Sequence, residues 1–246
     1  MSSGELTTYE QGEDGVVVVR LNRPATRNAI NTPMLEQILA HLARAREDES
    51  VRVLVFSSTD ERALSAGADV RESLEREGQI RKMELFSRVY DEVVAFAKPT
   101  VAVCHGSVVG GGAELAVACD IRVAGSNLGM RFPGGALGLP VGPARLVTLC
   151  GLGTAKYLLL TARTVGAEEA LRLGLVSEVV KADQVEARAL VLAGEIASHP
   201  PESMARLKRL LHEWDGIEER SRAEGEGQAA FIRDGVVFPG SDDPYS

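Results

Sequence analysis

The chain is poor in the residues that carry redox and metal chemistry. Among 246 residues there are three cysteines and four histidines, and neither a Cys-x-x-Cys pair nor a histidine pair at metal-ligand spacing occurs. No metal site is therefore expected. Cys104, Cys119 and Cys150 all sit in apolar segments and read as reduced core thiols of a cytoplasmic protein. Positive charge is also in short supply. Lys and Arg total 27 against 35 Asp and Glu, a net charge of -8, which speaks against a general nucleic-acid binder. A local basic patch for a small phosphorylated ligand remains compatible with it. No apolar run is long enough to span a bilayer, and residues 1–15 are polar and acidic, unlike a secretory leader. The nucleotide signatures are missing too. The glycines near residue 110 lack the Gly-x-Gly-x-x-Gly spacing, and Gly151-Leu152-Gly153-Thr154-Ala155-Lys156 lacks the Gly-Lys-Ser/Thr of a P-loop.

What is present centres on residues 98–120. Val101, Ala102, Val103 and Cys104 form a short apolar run behind Pro99, the pattern of a strand buried on both faces. Gly110, Gly111 and Gly112 follow and open an apolar helix. Without Cβ atoms they let a ligand approach the backbone. The first N–H groups of the helix lack intrahelical partners and suit an oxyanion. Glu114 lies about one turn further on, on the same face as Gly111. A donor for developing negative charge and a carboxylate able to move a proton thus come close together. The same residues also fit a plain tight turn, with Glu114 complementing the helix dipole.

Along the rest of the chain, strands and helices alternate, which predicts an α/β fold. Strands are expected at 15–21, 51–56, 121–124 and 176–180, and a helix opening at Thr32-Pro33, with Thr32 as its cap. A second helix is marked by Met83, Phe86, Val89, Tyr90 and Val93. Further helices are expected at 144–150, 154–160, 167–174 (ending at Gly174), 183–198 and 202–233. Residues 71–78 are charged and read as a mobile or simply solvated segment. Residues 235–246, rich in Gly, Pro and Asp, read as a frayed end.

Several motifs then agree in order: Leu21-Asn22-Arg23-Pro24 with Arg27-Asn28-Ala29-Ile30-Asn31; Ser65-Ala66-Gly67-Ala68-Asp69; Lys98-Pro99 leading to His105-Gly106 and Gly110-Gly111-Gly112-Ala113-Glu114-Leu115-Ala116; Cys119-Asp120-Ile121-Arg122; and Ala167-Glu168-Glu169-Ala170 with Gly174-Leu175-Val176. Together they resemble the enoyl-CoA hydratase/isomerase (crotonase) superfamily over roughly residues 5 to 210. The resemblance implies a spiral of ββα units, with a core domain over 1–190 and a C-terminal helical region over 191–246 that makes trimers, often paired as hexamers. It implies a coenzyme A thioester as substrate and no separate cofactor. It carries the oxyanion-hole N–H groups over to Ala66 and Gly111, and the acid/base to Glu114. Coenzyme A would be held by the loop of Ala66, Ala68, Asp69 and Val70, with Arg23 and Arg27 as phosphate contacts.

The chain departs from the family at one place that bears on the chemistry. Hydratases of the family carry a second glutamate, and alignment on Leu137-Gly138-Leu139 puts Gly134 there. Adding water to a conjugated thioester calls for one group to activate water and another to protonate carbon. Glu114 alone fits moving a double bond, slow hydration, or acyl-CoA binding without efficient turnover. Asp69, Glu72 and His105 read as structural. Arg131, in the divergent segment, fits contact with an anionic acyl group and contact with a neighbouring subunit equally.

Overall fold

The computed structural model describes residues 4–233, so the expected fraying of 235–246 lies outside the described residues. One pattern repeats three times along the middle of the chain: a strand, a shorter strand, a helix. The repeats are β3 (Val53–Ser58), β4 (Ala63–Ser65) and α2 (Arg76–Val94); β5 (Thr100–Cys104), β6 (Ser107–Val109) and α3 (Gly111–Ala118); and β7 (Ile121–Gly125), β8 (Gly129–Arg131) and α4 (Pro143–Thr161). They are preceded by β1 (Thr7–Gln11), β2 (Val16–Leu21) and α1 (Thr32–Glu47). They are followed by β9 (Thr164–Gly166), α5 (Ala167–Arg172), β10 (Glu178–Val180), α6 (Val185–Ala197), α7 (Pro201–Asp215) and α8 (Ile217–Arg233).

The first strand of each repeat enters a six-stranded sheet ordered β1-β2-β3-β5-β7-β10, and the second enters a four-stranded sheet ordered β4-β6-β8-β9. Pairing is parallel except at β1–β2 and β8–β9. A mainly parallel sheet needs cover on both faces, and the period-two side-chain alternation of a strand supplies it. Val16, Val53, Val101 and Val123 pack with Ala189 and Ala193 of α6. The intervening Val17, Leu54, Ala102 and Ala124 join the main core with Ile38, Phe86 and Leu115. This is the expected ββα spiral. The long valine-rich strands fall within a residue or two of their predicted places.

Departures have local causes. β1 was unmarked in a polar amino terminus: it is an edge strand paired on one side only, with residues exposed along it. β6 and β8 are three residues each, too short for alternation to show. The cap of α1 is Asn31 rather than Thr32, its side chain accepting from the Met34 N–H at 3.1 Å. The helices expected at 144–150 and 154–160 are two halves of α4, broken at Gly151, whose φ of 76° and ψ of 157° are not helical. Glu72, within the charged segment, accepts the Thr32 N–H at 3.0 Å and pairs with Lys82 at 2.8 Å. The expected division after residue 190 falls inside α6, whose Ala189 and Ala193 pack against the large sheet. Of the remaining helices, α8 packs back over α2 and α4 of its own chain.

The link from β5 to β6 runs through Gly106, whose φ is +53° and where an added Cβ would overlap the Arg62 carbonyl. Both the left-handed backbone and the overlap penalise any side chain. Gly106→Ala should cost about 3 kcal/mol of folding free energy, measured as a lowered urea midpoint at an unchanged slope.

Candidate active site

Two backbone stretches of small residues meet beside α3. Asn28 builds the first. It is fully buried at a φ of 53°, and its side-chain amide donates to Ser58 Oγ at 2.6 Å and to the Leu64 carbonyl at 3.1 Å. Ser65 Oγ donates to the Asn28 carbonyl at 2.8 Å and accepts the Gly67 N–H at 3.1 Å. These bonds pin residues 65–68 against the 23–30 turn. The second stretch is the glycine turn. A Cβ on Gly67 would stand 2.8 Å from the Val109 carbonyl oxygen and 3.6 Å from Gly110 Cα. A Cβ on Gly112 would stand 2.5 Å from that of Ser65. Glycine is required at both, because at 67 backbone lies against backbone and at 112 the Ser65 side chain lies against the turn.

The N–H groups at this junction divide into engaged and open ones. Ala66, expected as an oxyanion donor, gives its N–H to the Arg27 carbonyl at 2.8 Å. That expectation is corrected: the donor is already spent inside the protein. Ile30 donates to the Gly67 carbonyl at 2.7 Å and accepts from Asp69 at 2.8 Å, bridging in parallel to Ala68. In such a bridge the Ala68 N–H turns away from Ile30. Gly111 opens α3, where N–H groups have no intrahelical acceptor.

Glu114 sits one turn into α3 and is 1% exposed. Its Oε2 accepts from Arg145 Nε at 3.1 Å and from Arg145 Nη2 at 2.9 Å. Its Oε1 faces Gly142, where an added Cβ would come within 2.5 Å of it. Arg145 lies in the first turn of α4, over the ring of Tyr90 at 4.9 Å. The same Nη2 also donates to Glu224 Oε1 of α8 at 2.5 Å. Glu224 further accepts the N–H groups of Gly142 at 3.0 Å and Ala144 at 2.7 Å, so it caps α4. Burial pushes the Glu114 carboxyl up to about 7; Arg145 opposes the rise and the Glu224 charge adds to it. A carboxyl held near neutrality can both take and return a proton at physiological pH.

The comparisons with known proteins point the same way. The family model described as enoyl-CoA hydratase/isomerase matches residues 11–227. The chain belongs to this family. It is 34% identical over 207 residues to the short-chain-enoyl-CoA hydratase of Clostridium acetobutylicum, covering 81% of this chain and 78% of that protein. It is likewise 34% identical over 201 residues to the 2,3-dehydroadipyl-CoA hydratase of Escherichia coli, covering 80% and 78%. Among solved structures it superposes on an enoyl-CoA hydratase/isomerase of Xanthobacter autotrophicus with a TM-score of 0.84 at 26% identity, covering 97% of this chain and 89% of that one. It is an enzyme of the hydratase/isomerase type.

Other expected positions of this family member fall as follows. Arg23 pairs with Asp69 at 2.9 Å and also donates to the Ala29 carbonyl, so these two expected ligand contacts brace one loop against the other. Arg27 is exposed at a φ of 51°. Val70 is 56% exposed and Ala66 and Ala68 are exposed. His105 is buried on the α6 side of the sheet, lining a cavity with Glu61 and Glu186. Arg131 is exposed, and its Nε donates to the Ala162 carbonyl at the end of α4, at 2.6 Å. Gly134 is buried, and a Cβ there would lie 2.5 Å from Val141 Cγ1 and 2.6 Å from the Leu139 carbonyl. The place of the second glutamate is filled by packing. Arg145 and Glu224 were missed by sequence reading. An arginine shortly after the Gly/Pro passage was the available signal for the first; a lone glutamate on a charged helix gave none for the second.

The raised carboxyl makes stability depend on pH. With a native value near 7 against 4.5 unfolded, the native state keeps a proton that the unfolded chain releases. The resulting stabilisation is complete below about pH 4.5 and lost as pH rises through about 7. Relative to Glu114→Gln, which cannot titrate, the native enzyme should therefore lose stability steadily across that window, read from urea midpoints at a series of pH values.

Proposed function

We propose that the protein acts on an unsaturated acyl-CoA through an enolate of the thioester, with Glu114 as the sole proton carrier and the N–H groups of Gly111 and Ala68 as the oxyanion donors. The observation that carries this reading is the Glu114 carboxylate: buried, clamped through Oε2, and leaving Oε1 unclamped one turn beyond the open N–H groups of α3. Ala68 replaces Ala66 in the role because the Ala66 N–H is committed to Arg27. Oriented donors of this kind act where charge develops, each worth roughly 10²–10³ in rate.

Glu114 Oε1 takes the proton from the carbon next to the thioester. The C–H electron pair moves into a carbon–carbon double bond, and the carbonyl π pair moves onto the oxygen held by the two N–H groups. In a 3-enoyl thioester the resulting dienolate takes the same proton back two carbons further on. The double bond shifts into conjugation and nothing is gained or lost. Hydration needs a second group to activate water, and packing around Gly134 speaks against a side chain from that position. Isomerisation is therefore the reading favoured over hydration. A binder that holds acyl-CoA without turnover is the second reading, favoured by the same glycine.

Exposed Arg27 suits the phosphates of coenzyme A, with the 66–70 loop alongside. Arg23 and Asp69 shape that loop. No cofactor beyond the coenzyme A of the substrate enters this chemistry. Among the described residues no helix is long and apolar enough to cross a membrane, and the three free cysteines suit a reducing cytoplasm. Assembly into trimers or hexamers through the C-terminal helices is supported by the apolar side chains that α7 exposes, Leu207, Leu211 and Trp214, the last 81% exposed.

Proton NMR of a short 2-enoyl-CoA and its 3-enoyl isomer with the protein in D₂O tests the reading. Double-bond migration or α-deuteration is expected, slowing as pH falls below about 7, and Glu114→Gln should reduce it about 10²–10⁴-fold while line broadening still reports binding. An undiminished Glu114→Gln enzyme would remove Glu114 from the mechanism. Broadening with no exchange across a range of acyl chains would favour the binder, and accumulation of 3-hydroxyacyl-CoA would favour hydration.

A further inference from the structure

The described side chains around Glu114 hold more charge than one ion pair requires. Two carboxylates, on α3 and on α8, accept from one guanidinium nitrogen, Arg145 Nη2, at 2.9 and 2.5 Å. With both ionised the cluster carries a net negative charge in a buried site; with one proton it is neutral. A third acid, Asp91 of α2, stands behind Ser221, which donates to it at 2.6 Å and accepts from Arg145 Nη1 at 3.0 Å. Tyr90 of α2 closes the remaining side: its hydroxyl donates to the Gly111 carbonyl at 3.4 Å and its ring lies under the guanidinium. Thus α2, α3, α4 and α8 all contribute a group to one connected cluster.

Glu224 is bound to the backbone as well as to the cation. Its two oxygens take the Gly142 and Ala144 N–H groups as well as Arg145, which fixes the carboxylate at the start of α4. Gly142, a residue with a φ of +105°, is also the one facing Glu114 Oε1. The segment that leaves room for the free oxygen is therefore the segment Glu224 holds in place.

We propose that Arg145 and Glu224 are positioning residues for Glu114: the C-terminal helix, through Glu224, shares the guanidinium that clamps Glu114, and so fixes which Glu114 oxygen is free and how readily it takes a proton. The proposal rests on Glu114 as the proton carrier for its catalytic meaning only; the electrostatic coupling is a property of the resting protein. Removing the Glu224 charge leaves Arg145 wholly to Glu114 and should stabilise the ionised form of Glu114. The groups that remain facing Glu114 are then Arg145, Asp91, Ser221 and Tyr90.

The test is a carbon-13 NMR titration of protein labelled at the glutamate carboxyl carbon, with the Glu114 signal assigned by its loss in Glu114→Gln. In the unaltered protein the signal should move with a midpoint near neutral pH, above the ordinary carboxylate range. In Glu224→Gln, checked for folding by its melting curve, the midpoint should fall by about one pH unit or more, and the acid limb of kcat/KM should move with it. An unmoved midpoint overturns the proposal whether or not the protein turns over enoyl-CoA. Should Glu224→Gln fail to fold, the unaltered protein decides: a titration of Glu114 in the ordinary carboxylate range overturns it. If the titration behaves as expected but no acyl-CoA is processed, the coupling stands and the proposed reaction falls.

Discussion

The buried contact between Glu114 and Arg145 is the constraint around which the rest is arranged. A carboxylate at 1% exposure loses nearly all its hydration, and the cost is met only by an opposite charge in good geometry with its remaining hydrogen bonds satisfied. Arg145 supplies the charge through two nitrogens on Oε2 and leaves Oε1 unclamped, so burial is only partly compensated and the carboxyl is pushed up to about 7. Taking away one partner of such a pair strands the other, a loss of about 3–5 kcal/mol where it has been tested. The helices α2, α3, α4 and α8 each bring at least one member of the cluster, so their relative placement is set by charge as well as by apolar packing. The C-terminal helix is consequently part of the cluster around Glu114.

A second constraint is distance between backbones. In the proposed oxyanion hole the N–H groups of Ala68 and Gly111 can serve a common oxygen only if the 65–68 loop and the glycine turn run side by side. Side chains at 67 or 112 would force them apart, by the contacts with Val109 and Ser65. Asn28 acts from behind: its buried amide binds three separate acceptors across the loop. The loop is therefore shaped without drawing on the N–H of Ala68, while that of Ala66 is consumed in the shaping. The pattern of which donors are used internally is what distinguishes a structural turn from a binding one.

How far the sequence could be read follows from how each feature is encoded. Buried parallel strands show as valine runs, because both faces demand apolar residues, so β2, β3, β5 and β7 were legible. Three-residue strands such as β6 and β8 take their identity from neighbours brought by the fold, and β1 from pairing with β2. Glu114 was legible because a carboxylate one turn after three glycines is unusual in an apolar helix. The Ala66 assignment failed because small residues look alike in sequence, while hydrogen-bond direction, which separates Ala66 from Ala68, exists only in three dimensions. Glu224 was invisible for the same reason that surface glutamates are common: nothing in a charged helix marks the one side chain that is turned inward.

The accounting of lone pairs and protons at this cluster bears on the reaction. A second acid/base must have an oxygen free to meet water. Glu224 is the nearest candidate by charge, but Oε1 accepts from Arg145 and Gly142 and Oε2 from Ala144 at the start of α4. Releasing either oxygen would uncap the helix that carries Arg145 and so loosen the clamp on Glu114. Asp91 is further removed, behind Ser221. At position 134 the backbone and Val141 occupy the volume a side chain would need. Of the described carboxylates around the site, Glu114 is the one with an oxygen left unclamped, and burial pushes its carboxyl up to about 7. A site so arranged suits the reaction proposed above, in which one group removes a proton and returns it and no second carrier is needed.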